Sequence, residues 1–235
     1  MNYIIVCPPR SGSTYLGEFL QRSGLGYWNE LFTQEITRRR QIWPLDLDEA
    51  LNDTVVDLAF SRPDSGFKFP YTAAQPGVLT ALHRHRSVRV IHILREDLLE
   101  QMASWFFLQQ CGVSLAKKDG TIWNPAGEQV EAPAAPRLRI APVDAENHLR
   151  GMTFFRQVNW WLFHETHLYH EIHFRDIFTD AGLSGVCDFL GIDFDSSARP
   201  DHVPTPRPPA RDLIDSFAEL SAHFAGTEFE KLFTE

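Results

Sequence analysis

Tyr3-Ile4-Ile5-Val6-Cys7 is an apolar, partly β-branched run that stops at Pro8-Pro9, and helical spacing begins soon afterwards with Leu16, Phe19, Leu20 and Ser23. The run predicts a buried strand, and the spacing predicts a helix that starts near Ser13 and ends at Gly24 and Gly26. A strand that feeds so directly into a helix opens a βαβ unit, and with it a mainly parallel sheet. The link between them, Pro8-Pro9-Arg10-Ser11-Gly12, is a tight loop set against a helix N-terminus.

The alternation continues along the chain. Phe67-Lys68-Phe69 before Pro70 predicts a short strand, and Val88 to Leu94 a stronger one, nearly continuous in apolar residues as a strand buried on both faces should be. Glu96 and Asp97 stand where a helix N-terminus favours negative charge, and Leu98, Leu99, Met102, Trp105 and Phe106 give that helix an apolar stripe. From 111 to 147 the character changes. Pro125, Pro133, Pro136 and Pro142, with Gly112, Gly120 and Gly127, predict a long irregular excursion of the kind that carries specificity on a rigid scaffold. Helical spacing resumes from about His148 to His167; Ile172 and Phe174 predict a strand, Leu183 to Leu190 a helix before Gly191. A proline-rich stretch, Pro200 to Pro209, precedes a last amphipathic segment marked by Leu213, Phe217, Leu220 and Phe224. There is no internal repeat, and 235 residues suit one α/β domain.

Bulk properties remove several classes. A formal charge of −9 lacks the basic face of a general nucleic-acid binder, although local cations and backbone amides can still hold an anion. Cys7, Cys111 and Cys187 form no CxxC pair and read as reduced thiols of a cytoplasmic protein. The N-terminal apolar run is too short for a signal sequence or a membrane span, so no membrane insertion is expected. His164, His167 and His170 are spaced by three and would share a helix face, but no acidic pattern accompanies them and no metal site is expected. Trp105, Phe106, Phe107, Trp160 and Trp161 read as core, with stacking on a base or an acceptor pocket as the other use.

The loop's chemistry is that of an anion grip. A helix N-terminus offers unpaired N–H groups and a positive dipole end. Gly12 lets the backbone approach a ligand, Ser11, Ser13 and Thr14 add hydroxyls, and Arg10 adds a fork of charged donors. Set against the ATP-binding pattern G-x-x-x-x-G-K-[ST], Cys7 replaces the first glycine and Ser13 replaces the lysine. An ordinary Mg-dependent nucleotide hydrolase or kinase needs that lysine.

Arg10-Ser11-Gly12-Ser13-Thr14 after an N-terminal strand resembles the phosphosulfate loop of sulfotransferases that use 3′-phosphoadenosine-5′-phosphosulfate (PAPS). Arg95 at a strand end, followed by Ser104 on the next helix, is similar to that family's 3′-phosphate grip, with the spacing of the branch that includes trehalose-sulfating enzymes. Gly26-Tyr27-Trp28-Asn29-Glu30-Leu31-Phe32 matches the same branch's Gly-x-x-x-Glu-x-Phe segment, and Gly66-Phe67-Lys68 its Gly-x-Lys strand. His173-Phe174-Arg175-Asp176-Ile177 and Phe189-Leu190-Gly191-Ile192 are similar to family strand and helix-end segments, and bottom-up they read as core without chemistry. The departures are Glu96, where relatives place a second cation, and the absence of an evident basic closing loop, for which Arg207 or Arg211 would have to substitute.

The resemblance implies a three-layer P-loop-like fold with a short, mainly parallel sheet flanked by helices. It implies a single domain over 1–235, with 111–147 as an acceptor lid. PAPS would be the co-substrate, gripped by Arg10, Ser11, Gly12, Ser13 and Thr14 and by Arg95 and Ser104. Glu30 would be the base, Arg10 would neutralise the departing bridging oxygen, and Lys68 would line the acceptor or sulfate side. As in phosphoryl transfer, such chemistry rests on positioning and charge stabilisation, and sulfuryl transfer needs no metal. The partner is a small hydroxyl-bearing acceptor (sugar, lipid, polyketide and small alcohol all stay open), with a homodimer allowed by family analogy alone. The rival readings are a phosphotransferase with an atypical loop and a non-catalytic nucleotide-binding module.

Overall fold

The structure is a computed structural model that describes residues 1–30, 49–71, 76–124, 128–131, 136–205 and 207–234. In chain order the elements are β1 (Tyr3–Cys7), α1 (Ser13–Arg22), β2 (Gly26–Glu30), α2 (Glu49–Ala59), β3 (Ser65–Pro70), α3 (Pro76–Arg84) and β4 (Arg89–Leu94). Then come α4 (Leu98–Cys111), β5 (Leu115–Lys117), β6 (Ile122–Trp123), β7 (Gln129–Val130), α5 (Pro142–His164), β8 (Leu168–His173) and α6 (Asp180–Leu190). The chain finishes with β9 (His202–Val203), α7 (Ala210–Leu213), α8 (Phe217–Phe224) and α9 (Lys231–Thr234). Contacts divide it into two compact units, one of Met1–Arg95 with Phe154–Pro200, the other of Glu96–Thr153 with Asp201–Glu235.

The first unit is α/β. Its five strands are all parallel, in the order β2-β3-β1-β4-β8, so β1 lies in the middle. Every residue of β1 is buried, which explains why the strand reads as a solid apolar run rather than an alternating one. Tyr3, Ile5 and Cys7 of β1 join Ile91 and Ile93 of β4 and Ile172 of β8 in one cluster with Leu16, Phe19 and Leu20 of α1 and Leu183, Val186 and Leu190 of α6. The alternate residues, such as Phe67, project from the other face; Phe67 stacks on Phe60, just past α2, with ring centroids 5.4 Å apart. Helices therefore flank both faces, as the fully buried central strands require.

On that second face the core includes a buried polar chain. His92 of β4 is fully buried, with its Nε2 bonded to the Tyr71 hydroxyl and its Nδ1 bonded to the Tyr169 hydroxyl. Tyr169 in turn donates to Glu171 Oε1 at 3.4 Å. The direction of the chain follows by elimination, because a carboxylate can only accept. Tyr169 spends its one proton on Glu171, so His92 donates through Nδ1–H, and Nε2 accepts from Tyr71. Burial, with a smaller contribution from the Arg156 guanidinium, pushes the His92 pKa down from 6.5 to about 3. Burial also raises both tyrosine pKa values.

The second unit holds a small antiparallel sheet, β7-β6-β5-β9, and helices around a separate apolar cluster. Met102 and Phe107 of α4, Leu149 of α5 and Leu220 and Phe224 of α8 form its centre; the Phe224 and Phe233 rings stack 4.8 Å apart. The excursion expected to be irregular over 111–147 thus carries three strands. Asp119-Gly120 makes the turn between β5 and β6, with Gly120 at φ 84° and Thr121 donating to Asp119 through both its amide and its hydroxyl. Asp-Gly between short apolar segments is a hairpin signal that the surrounding prolines obscure. The helix expected from about His148 begins instead at Pro142, since proline suits a first helical position. The last amphipathic segment is broken, α7 ending before Ile214 and α8 starting at Phe217. His164, His167 and His170 do not share a helix face: His164 closes α5 and His170 lies on β8.

The buried neutral imidazole has a thermodynamic signature. A folded-state pKa below the unfolded one means that the unfolded chain binds more protons between the two values. The stabilisation is complete above about pH 6.5 and is lost as pH falls toward 3. In urea titrations across that window, His92→Phe will show a stability–pH slope shallower than wild type by about 1.4 kcal/mol per pH unit, one proton's worth.

Candidate functional site

The loop between β1 and α1 is built from two left-handed residues. Arg10 has φ 62° and Gly12 has φ 73°. An L-residue such as Arg10 adopts that conformation only when its surroundings hold it, and such residues gather at ligand-binding turns. Gly12 is the N-cap of α1; it provides no side-chain cap, and no acidic residue stands in the helix's first turn. The positive end of the helix dipole is therefore not answered by either device. Crowding fixes Gly12 as firmly as its φ does, for a Cβ there would lie 2.3 Å from Ile177 Cδ1 and 3.3 Å from Phe178 Cζ.

The remaining loop residues divide by role. Ser11 is fully buried and its hydroxyl donates to the Pro8 carbonyl at 2.8 Å, so that hydroxyl braces the loop. Ser13 is buried at the helix start. Thr14 receives a hydrogen bond at 3.3 Å from the ammonium of Lys68, a buried residue of β3. Lys68 pairs with Ile5 in register, which sets it level with a core residue on the α1 face. A cation thus reaches the loop from a neighbouring strand, although Ser13 occupies the loop's own lysine position.

A second cation comes from the other side. Arg95 follows β4, and one of its guanidinium nitrogens donates to the Arg10 carbonyl. The guanidinium also lies 4.2 Å from the centroid of the Phe174 ring. Phe174 arrives there because its amide continues the β8–β4 ladder, donating to the Leu94 carbonyl at 2.8 Å. Phe174 meets Phe178 edge-on at 5.4 Å, and Phe178 meets Tyr15 of α1 at 4.9 Å. Burial raises the Tyr15 pKa, the largest influence on it.

Of the residues singled out in the sequence, Arg10, Ser11, Gly12, Ser13, Thr14, Lys68 and Arg95 come together in the first unit. The backbone of Glu30 joins them by register, as the residue of β2 that pairs with Lys68. Ser104 is a buried residue of α4 in the second unit. Arg207 bonds Glu100 Oε2 at 2.6 Å, and Arg211 lies over Phe217 at 5.4 Å. Among the described residues no group of three His, Cys, Asp or Glu gathers as metal ligands.

Tyr15, Phe174 and Phe178 were missed by sequence reasoning. Each reads as one more apolar core position, and only the meeting of α1 with the segment after β8 turns them into a wall beside the loop. Of the rings read as core, Phe107 is buried, but Trp160 and Trp161 are exposed, at 42% and 70%; Trp160 stacks on His164, and Trp105 and Phe106 lie against His148.

No family model and no curated protein matches this chain. Solved structures do. A sulfotransferase domain from the curacin biosynthetic pathway matches with TM-score 0.44 and 18% identity, covering 84% of this chain and 76% of that one. A sulfotransferase domain from the Synechococcus PCC 7002 olefin synthase matches with TM-score 0.44 and 15% identity, covering 93% and 82%. Shikimate kinase from Acinetobacter baumannii, in complex with shikimate, matches with TM-score 0.42 and 16% identity, covering 81% and 93%. With TM-scores below 0.5, these likenesses carry no argument about the site.

Gly12 and Gly24 separate the two constraints on the loop, because Gly24 has φ 93° but nothing within 4 Å of its added Cβ. In urea unfolding, Gly24→Ala will cost only its backbone strain, about 1 kcal/mol, whereas Gly12→Ala will exceed it by about 1–3 kcal/mol through the clash with Ile177.

Proposed function

We propose that this chain moves a sulfuryl group from PAPS to the hydroxyl of a small acceptor. The observation that carries the reading is the convergence of Lys68 and Arg95, from strands on either side of β1, on a loop whose helix start has neither a side-chain cap nor an acidic residue in its first turn. A nucleotide kinase places its lysine within the loop. Here the cations come from the sheet and from a strand end and meet at one loop.

In this reading the amides of Arg10 to Thr14 take the 5′-phosphosulfate. Lys68 lines the acceptor or sulfate side, and Arg10 answers the charge that grows on the bridging oxygen. Arg95 grips the 3′-phosphate, and the wall of Tyr15, Phe174 and Phe178 supports the adenine ring. The acceptor oxygen forms its bond to sulfur while the bridging sulfur–oxygen bond breaks; Glu30 takes the acceptor's proton and the bisphosphate leaves with the charge. The resemblance to trehalose-sulfating enzymes supports the choice of Glu30. In this reading the setting is cytoplasmic. Among the described residues no helix is long and apolar enough to cross a membrane.

Calorimetry separates this from ATP chemistry. A charged hydrogen bond contributes about 1.5–3 kcal/mol, so 3′,5′-adenosine bisphosphate will bind at least about tenfold tighter than 5′-AMP or ATP. Arg95→Ala will erase that margin; equal wild-type affinities for the bisphosphate and AMP end the assignment. Glu30→Gln will keep bisphosphate affinity and lower the rate of donor consumption about 10²–10⁴-fold. An undiminished rate in that variant removes Glu30 from the mechanism.

A further inference from the structure

Strand β2 does not keep step with β3. Gly26 and Tyr27 pair with Ser65 and Gly66, but Glu30 pairs with Lys68. Three steps along β2 match two along β3, which is a one-residue bulge over Trp28 and Asn29. Bulges are rare between parallel strands, and they are enriched at sheet edges and beside active sites, where they change which residue stands at a given level. In unbroken register Asn29 would face Lys68, and Glu30 would stand one step beyond it with the opposite parity of the pleat.

Among the described residues β2 is the outer strand on its side of the sheet, with no strand beyond it. The Tyr27 ring lies on α1 at Gly17, where an added Cβ would come within 2.0 Å of Tyr27 Cζ and 2.4 Å of its Oη. Gly17 is in mid-helix, where glycine costs about 1 kcal/mol relative to alanine, and the seat for the phenol accounts for it. The Tyr27 hydroxyl donates to Asn29 Oδ1 at 3.3 Å, and so reaches the bulge itself. One side chain thereby links the bulge to the helix whose first turn holds Ser13 and Thr14.

We propose that Tyr27, seated on Gly17, is a positioning residue that holds the β2 bulge and so keeps Glu30 level with Lys68. The inference rests on the sulfuryl-transfer reading, in which Glu30 is the base. A base displaced by about 1 Å loses about 10²-fold in rate even though substrate binding is intact.

Two measurements on the whole chain test it: calorimetric affinity for 3′,5′-adenosine bisphosphate, and release of the bisphosphate from PAPS in water without an added acceptor. Tyr27→Leu and Gly17→Ala are expected to lower the release rate about 10²-fold while affinity stays within about twofold. Tyr27→Phe, which keeps the ring on Gly17 but loses the bond to Asn29, will fall between them and wild type. Tyr27→Leu combined with Glu30→Gln will be no slower than Glu30→Gln alone, because both act through one group. Wild-type rates in Tyr27→Leu and Gly17→Ala overturn the inference, as does a combined variant whose losses add. If Gly17→Ala does not fold, Tyr27→Leu, which only removes atoms, decides. A wild-type chain that does not bind the bisphosphate sinks the nucleotide reading and this inference with it. Bisphosphate binding with unchanged release in Glu30→Gln removes the base alone.

Discussion

An ammonium group inside a parallel sheet is costly unless it meets a partner, and the organisation of the first unit follows from where Lys68 finds one. Its side chain is buried on the face covered by α1, and it reaches the Thr14 hydroxyl in that helix's first turn. The contact ties β3 to the loop after β1, much as Arg95 ties the end of β4 to the same loop through the Arg10 carbonyl. Two neighbouring strands thus hold one turn of backbone in a conformation that Arg10 would not adopt alone. The sheet's rigidity is transmitted to the loop through charged side chains, so the groups that brace the turn are also the groups an anion would meet.

Electrostatically the chain is acidic, yet its cations are not spread evenly. Lys68 inside β3 and Arg95 just past β4 both reach the loop that carries Arg10, and low-dielectric surroundings strengthen a charge. Several other arginines pair with carboxylates: Arg150 with Glu146 and Glu228, Arg199 with Asp180, and Arg207 with Glu100. Histidines follow the opposite logic. His92 in the first unit and His148 in the second are both driven toward neutrality by burial, with pKa values pushed down to about 3 and about 4. They serve the interior as hydrogen-bonding rings rather than as charges.

Where an element is fixed by local pattern, the sequence was enough to find it. β1 spans Tyr3–Cys7 and α1 begins at Ser13 because a proline stop and a helical apolar repeat are contained within those residues. The strand around Lys68 and the strand before Arg95 were legible for the same reason, and with them most of the loop's neighbours. Long-range choices were not legible. Nothing in Leu115–Lys117 foretells that His202–Val203 will pair with it from the far end of the chain. The stripe assigned to α4 put Trp105 and Phe106 on its inner side, but the buried side includes Gln101 and Ser104. Gln101 is accommodated by His148, whose Nε2 lies 2.8 Å from Gln101 Oε1, a partner that periodicity cannot supply. The bulge in β2 was equally hidden, since it is a relation between two strands rather than a property of either.

The strand order also bears on how the chain is made. β4 ends at Leu94, but the strand that pairs along its outer side does not begin until Leu168. During synthesis the residues of the second unit's first segment must leave the ribosome before that ladder can close. Until then Val90, Ile91 and Ile93 present an apolar strand with an unpaired margin, which is a template for association with another nascent chain. The delay makes the interval between those two strands the stage at which this protein is most exposed to misassembly, and most in need of a chaperone.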